Sequence, residues 1–298
     1  MFEHIVGNEK NKQLLENIIK GNNISHSYMF IGKMGIGKLL FAKEFAQAIL
    51  CEKQSSCGKC KSCIEFVSNN NPDIKIVEKE GTNNIKIEQI RDMNSRIIEK
   101  PIISNKKVYI INDADSMTKE AQNCLLKTLE EPPQYAVIIL VGQNDNLFLN
   151  TIKSRCTKII FQNIPDDILK NALEEKFDYR NITKSMLSLF EGSIGRALEL
   201  RGKEEIYENI KNIFTNLDKI NIIDLLNKKE IISKYKEDII SILQYVQVLF
   251  FEFVRLGDSR YIKAIEIIED TKDRLCKNAN FDMTIDLFLM SVWESINM

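Results

Sequence analysis

Gly32-Lys33-Met34-Gly35-Ile36-Gly37-Lys38 is the stretch on which the reading of this chain turns. Its G-x-x-x-x-G-K spacing is that of a phosphate-binding loop. The glycines let backbone N–H groups turn inward on phosphate oxygens, and the lysine reaches the terminal phosphates. The surroundings are what the motif requires. Tyr28-Met29-Phe30-Ile31 is a compact apolar run, predicted as a strand, that ends at the first glycine. A helical pattern follows from about Lys38, with Leu40, Phe41, Phe45, Ala48 and Ile49 near one face.

Outward from this loop the first half of the chain alternates strand-like and helix-like segments. Ile74–Val77, Val108–Ile111, Val137–Val141 and Lys158–Phe161 read as further strands, and the continuous apolar runs among them suit a parallel sheet buried on both faces. Ile87 to Glu99 has helical spacing, and Ala121, Cys124, Leu125, Thr128 and Leu129 form a helical stripe that Pro132-Pro133 terminates. Strands separated by helices predict an α/β fold with a covered parallel sheet. After Pro165 the β-runs stop. Asp166–Phe177, Thr183–Phe190 and Ile194–Leu200 read as three short helices, and longer helices follow from about Lys203. One of these carries Phe281, Ile285, Phe288, Leu289 and Val292 on one side. The expected organisation is a P-loop domain over 1–164, a small helical lid over 165–203 and an all-α domain over 204–298.

Composition narrows the function classes. Hydrophobic residues make up 44% and charged residues 28% of the 298, the balance of an ordinary globular protein. With 41 Lys and Arg against 42 Asp and Glu, the net charge is -1, so a polyanion would need a local basic patch. MFEHIVGNEK lacks the basic-then-apolar pattern of a secretory signal. The densest apolar stretch, Ile239 to Val254, is broken by Ser241, Gln244, Gln247 and Glu252 and reads as a buried helix rather than a membrane span. The expected location is the cytoplasm, with no membrane partner.

The loop motif and its catalytic companions disagree. Leu39 follows Lys38, where a working NTPase places Ser or Thr to hold Mg²⁺. Asn112 and Asp113 end the strand that should deliver an acidic pair. Asn carries no charge, and Asp is one methylene shorter than the expected Glu. Three altered positions predict a retired ATPase. Two readings stay open: ATP or ADP bound without turnover and without a proper Mg²⁺ site, or a loop kept for folding alone.

Of seven cysteines, Cys51, Cys57, Cys60 and Cys63 fall within thirteen residues. Four thiolates at this spacing can close around one tetrahedral centre, and Gly58 permits the turn between the second and third. Structural zinc is the first reading; a redox pair and an iron–sulfur cluster are the alternatives. Lys53, Lys59 and Lys61 make a nucleic-acid-binding zinc ribbon a rival role, against an ordinary solvated knuckle. Cys124, Cys156 and Cys276 read as small hydrophobes.

Leu125-Leu126-Lys127-Thr128-Leu129-Glu130-Glu131-Pro132-Pro133, followed by Ser154-Arg155-Cys156, resembles the bacterial clamp-loader AAA+ family. The cysteine insertion, His26-Ser27-Tyr28-Met29-Phe30 and Gly195-Arg196-Ala197-Leu198 fit the same family over about residues 1–200. The resemblance implies an AAA+ domain, a lid and a collar that joins a hetero-oligomer with ATPase (gamma/tau-type) and delta-type subunits. Through that complex it implies a sliding clamp and primed DNA as partners, in the service of DNA polymerase III. It implies that Arg155, with Ser154, serves as a trans arginine finger for a neighbour's γ-phosphate. It implies that Arg196, with Gly32, Gly35, Gly37 and Lys38, borders a degenerate nucleotide pocket. Leu39, Asn112 and Asp113 favour the subunit type without intrinsic catalysis; a competent ATPase subunit is the alternative. Asn150 departs from the proline common before Thr151-Ile152 in the family.

Overall fold

The computed structural model describes residues 1–81 and 84–297. Met298, the end of the expected third domain, lies outside them. Contacts group the chain into two compact units, residues 1–172 with 192–196 and residues 173–191 with 197–298. This division runs through the segment expected to be the lid.

The first unit is built on a five-stranded parallel sheet: β1 (Ser27–Ile31), β2 (Ile74–Val77), β3 (Lys107–Ile111), β4 (Ala136–Gly142) and β5 (Thr157–Ile160), in the order β2-β3-β4-β1-β5. The three inner strands are buried along their whole length, whereas β5 exposes three of its four residues. Side chains alternate between faces with period two. Tyr28 and Phe30 enter one apolar core with Phe41, Phe45 and Phe161, while Met29 and Ile31 enter the other with Tyr109, Leu125 and Ile138. Ring contacts tighten the first core: Phe41 stands edge-on to Phe161 at 4.9 Å, and Tyr28 edge-on to Phe45 at 5.1 Å.

Helices α1 (Glu9–Lys20), α2 (Lys38–Leu50), α3 (Lys61–Val67), α4 (Ile87–Ile97), α5 (Lys119–Glu130) and α6 (Asn150–Lys153) complete this unit. The predicted strands and major helices are present, with ends that differ by a residue or two. One face was misassigned. Leu40, expected to be buried on α2, is 54% exposed, and its neighbours Phe41 and Ala42 fill the core instead. α1, α3 and α6 were not anticipated, because each is short or weakly apolar.

The second unit is helical. It takes in the end of α7 (Asp166–Phe177), then α8 (Lys184–Phe190), the end of α9 (Ile194–Leu200), α10 (Glu204–Phe214), α11 (Ile222–Asn227) and α12 (Lys229–Ser233). Three long helices follow: α13 (Ile239–Arg255), α14 (Tyr261–Cys276) and α15 (Phe281–Asn297). Its core is aromatic, with Tyr207 on Tyr245 at 5.0 Å and Phe214 between Phe250 and Phe288 at 6.0 and 5.8 Å. No helix among the described residues is long and apolar enough to cross a membrane.

A single buried carboxylate ties the start of β2 to the loop before β3. Asp73 is fully buried and accepts backbone N–H bonds from Ile102, Ile103 and Ser104, each at 2.7 Å. Charge-assisted bonds of this kind are strong, and deleting the acceptor strands three donors. Asp73→Ala is expected to destabilise the first unit by about 3 kcal/mol or more, and Asp73→Asn to restore only part of the loss. Urea unfolding followed by tryptophan-independent circular dichroism measures it; an unchanged midpoint would contradict this account of the loop.

Candidate functional site

Because the strands are parallel, the loops after β1, β3 and β4 all leave the same edge of the sheet, the place where open α/β folds bind ligands. Gly32 to Lys38 follows β1, Asn112 to Ser116 follows β3, and Gln143 to Asn146 follows β4. The phosphate loop is built by close approach. A Cβ on Gly32 would meet Ile36 Cδ1 at 2.6 Å and Phe161 O at 2.7 Å. Gly35, at φ +72°, leaves no room either: a Cβ there would sit 2.3 Å from Ser193 Oγ. The Gly195 N–H donates to Gly35 O at 3.0 Å, so residues 192–196 form one wall of the loop. Arg196 lies in this wall, its backbone N–H bonded to Ser193 Oγ at 3.1 Å.

Lys38 opens α2 behind Gly37, itself in the left-handed region at φ +92°. The lysine is 7% exposed, and its ammonium donates to Gly32 O at 2.7 Å and Lys33 O at 2.6 Å. Burial pulls its pKa down to about 8, against the opposing pull of Asp115 and Asp113. A glycine cradle closed by a buried ammonium suits phosphate oxygens. The metal side of the pocket does not suit Mg²⁺. Leu39 offers no oxygen, the Asn112 amide donates to Glu78 Oε1 at 3.4 Å, and Asp113 is ion-paired with Lys79 at 3.2 Å.

Asp115 was not foreseen. Its carboxylate accepts the N–H groups of Gln143 at 2.8 Å and Asn144 at 3.1 Å, which fixes the loop after β4 against the loop after β3. Gln122 was missed too, although it lies on the buried side of α5, three residues before Leu125. It is 2% exposed. Its amide donates to Met117 O at 3.3 Å and Leu147 O at 3.0 Å and accepts from Leu149 N–H at 2.9 Å. One buried side chain thus joins the loop after β3 to the entry of α6. A polar residue on an otherwise apolar face was the available signal.

Arg155 follows α6 directly. Its Nη1 donates to Thr151 O at 2.8 Å and Ser154 Oγ at 3.4 Å, and its Nη2 pairs with Glu130 Oε1 at 2.8 Å. The Arg155 side chain keeps 34% of its surface exposed. The backbone beneath is fixed, since Ser27 Oγ donates to Arg155 O at 2.6 Å. Burial pushes the adjoining Cys156 thiol up to about 11, which makes it an inert packing group.

The four clustered cysteines converge, with all Sγ atoms within 4.8 Å of one another and Cys51 and Cys60 at 3.9 Å. Thiolates around one tetrahedral ion at the usual Zn–S distance lie about 3.8 Å apart. Backbone N–H groups of Cys57 and Cys60 point at Cys51 Sγ and Cys57 Sγ at 3.5 and 3.4 Å. Burial pushes the Cys51 thiol up, but N–H donors from Cys57, Ser55 and Lys53 outweigh it and draw it down to about 6. The cluster can hold a metal ion. Asn71 anchors it to the sheet by donating to Ser62 O and Oγ at 2.9 and 3.0 Å.

Residues 7–165 match the family described as DNA polymerase III, delta subunit. The chain is 34% identical over 199 residues to DNA polymerase III subunit delta' of Bacillus subtilis, covering 66% of this chain and 60% of that one. It is 28% identical over 317 residues to subunit gamma/tau of Mycoplasma genitalium, covering 98% of this chain and 53% of that one. It therefore spans little more than half the length of these relatives. Among solved structures, a gamma-subunit-related protein from Thermotoga maritima shares the fold at a TM-score of 0.51 and 21% identity, covering 95% of this chain and 99% of that one.

Protein purified without chelators is expected to carry one metal ion per chain, read by elemental analysis. Cys60→Ser should lower both the metal content and the midpoint of thermal unfolding. Full-length, folded protein with no bound metal would reduce the cluster to four packed thiols.

Proposed function

The chain belongs to the DNA polymerase III delta-subunit family, and from that premise we propose that it is the delta-prime type of clamp-loader subunit. In this reading it works beside gamma/tau-type ATPase subunits and a delta-type subunit in a cytoplasmic hetero-oligomer that places a sliding clamp on primed DNA. It hydrolyses no ATP itself and presents Arg155 to the nucleotide of a neighbour. The observation that carries the reading is the missing set of metal ligands around an intact phosphate loop, together with an accessible arginine held at the opposite edge of the sheet, near the start of β1. Residues 165–203 would act as a lid and 204–298 as the oligomerising collar, and the cysteine cluster would hold a structural zinc ion.

The chemistry asked of Arg155 is electrostatic. Charge spreads over the equatorial oxygens of a phosphoryl group in transfer, and a guanidinium set against them lowers the barrier without bond-making of its own. Ser27, through Arg155 O, and Gln122, through the entry of α6, hold the backbone that aims it. Glu130 holds the guanidinium in the isolated chain. A polyphosphate carries more negative charge than one exposed carboxylate and would compete for it.

A second reading has its own support: the gamma/tau relative aligns with nearly the whole chain, and Lys38 and its glycines are kept. It makes this chain an ATPase. One assay separates the two. Clamp- and DNA-stimulated hydrolysis by the reconstituted complex is expected to fall with Arg155→Ala, by on the order of 10³ at the site that the arginine faces. The isolated wild-type chain should be silent. Turnover by the isolated chain that Lys38→Ala abolishes would favour the ATPase reading, and an unaffected mutant complex would leave Arg155 an ordinary surface ion pair.

A further inference from the structure

Two residues at the end of β2 cover the two residues at the end of β3. The Asn112 N–H bonds Val77 O at 2.9 Å, which sets the chains side by side up to their last ladder position. One step further, Glu78 accepts from the Asn112 amide, and the Lys79 ammonium sits 3.2 Å from Asp113 Oδ2. Asp113 stands at φ +50°, a left-handed conformation that turns the chain at this point. In a metal-dependent pocket of this fold the carboxylates here face a divalent ion that bridges the nucleotide's phosphates. Here the acidic side chain of Asp113 already has a cation, and that cation belongs to the protein.

The charges around the loop can be paired off. Lys38 feels both Asp113 and Asp115. Asp115 is occupied by the N–H groups of Gln143 and Asn144, and Asp113 by Lys79. Glu78 is engaged by a neutral amide. Mg²⁺ demands a near-octahedral set of oxygens and gives up its water reluctantly. With Leu39 in place of a hydroxyl and Asn112 in place of a carboxylate, such an ion would have to displace the Lys79 ammonium to reach Asp113.

We propose that Lys79 takes the place of the divalent cation: the phosphate loop of this chain binds a nucleoside di- or triphosphate without metal, with Lys38 and Lys79 supplying the positive charge. Lys79 is suited to this. Its ammonium is a compact point charge on a flexible stem, its side chain is 40% exposed, and its partner Asp113 is one of the two carboxylates whose charge Lys38 feels. Metal-free binding also accounts for a pocket that keeps its glycines and lysine after losing the means to turn a substrate over. The assignment concerns the chain's own pocket and does not depend on what Arg155 does.

The test is a titration of the full, metal-loaded chain with the fluorescent nucleotide N-methylanthraniloyl-ADP, in buffer with magnesium omitted or added. Chelators are avoided so that the cysteine cluster keeps its ion. Wild-type affinity is expected to agree within about twofold in the two buffers, since no ion takes part. Lys79→Ala should weaken binding about tenfold without magnesium, the effect of one lost charge-assisted contact. Added magnesium should restore part of that loss, because Asp113 is then free to hold it. Lys38→Ala should abolish binding in both buffers and so locate the probe in the loop. The proposal is overturned by wild-type binding that requires magnesium, by no detectable binding in either buffer, or by a Lys79→Ala chain that binds like wild type without magnesium. Thermal unfolding of each variant checks that the fold is intact.

Discussion

The parallel pairing of β1 with β4 on one side and β5 on the other is the constraint on which the first unit rests. Every residue of β1 is buried, and alternate residues feed the two cores, so the strand has neither a free edge nor a free face. Its last residue, Ile31, pairs with Gly142 and Ile160, and the chain leaves into the phosphate loop with no slack. That is why Gly32 cannot carry a side chain: Phe161 is already against it. A shift of one residue in this register would turn every core side chain of β1 to the opposite face. The start of the loop is thus shaped by the sheet, and Gly35 by the wall of residues 192–196.

Around that edge, polar groups do different work from the one their sequence positions suggest. Asp115 spends its charge on two N–H groups of the loop after β4, and Gln122 spends its amide on three backbone groups that lead to α6. The bonds of the buried Gln122 are costly to break, because each loss leaves a donor or acceptor without water, whereas those of Asp115 lie at exposed N–H groups. The loop after β3, the loop after β4 and the base of Arg155 are therefore linked by fully committed side chains. In a reading where the chain gives an arginine to a neighbour, such stiffness has a use: the guanidinium must be delivered within a fraction of an ångström, and a rigid base supplies this better than a mobile loop.

The motif, the strands and the cysteine cluster were legible because each depends on residues near in sequence. A strand shows itself in four or five consecutive apolar residues, and the thiols fall within thirteen residues. Leu40 shows the limit of such reasoning. A helix that begins in a glycine turn can rotate by one position, and the apolar stripe gives no warning of which leucine faces out. The partners of the site residues were illegible for a firmer reason. Glu130 meets Arg155 across twenty-five residues of chain, and Lys79 meets Asp113 across thirty-four. Nothing in a surface Glu or Lys marks it for such a pairing until the sheet order is known. Gln122 is the exception, since its place beside an apolar stripe was a readable signal.

The cysteine cluster answers a packing problem that apolar side chains could not solve at this place. Between α2 and β2 the chain has only α3, and two of its residues, Ile64 and Val67, are 55% and 74% exposed. So short a helix is marginal by itself in water. What is buried beneath it is mostly polar: Ser62 and Asn71 bond each other, and Ser104 donates to Ser62 Oγ and Leu50 O at 3.0 Å. A segment with little apolar surface to bury needs another source of stability, and the four cysteines, which can hold a metal ion, would supply it through bonds to the end of α2 and the start of α3. Asp73 then carries the constraint to the loop before β3. With an ion bound, the cysteine cluster and the sheet would form one mechanical element whose contribution to the pocket is indirect: it would fix the far end of α2, whose first residue is Lys38.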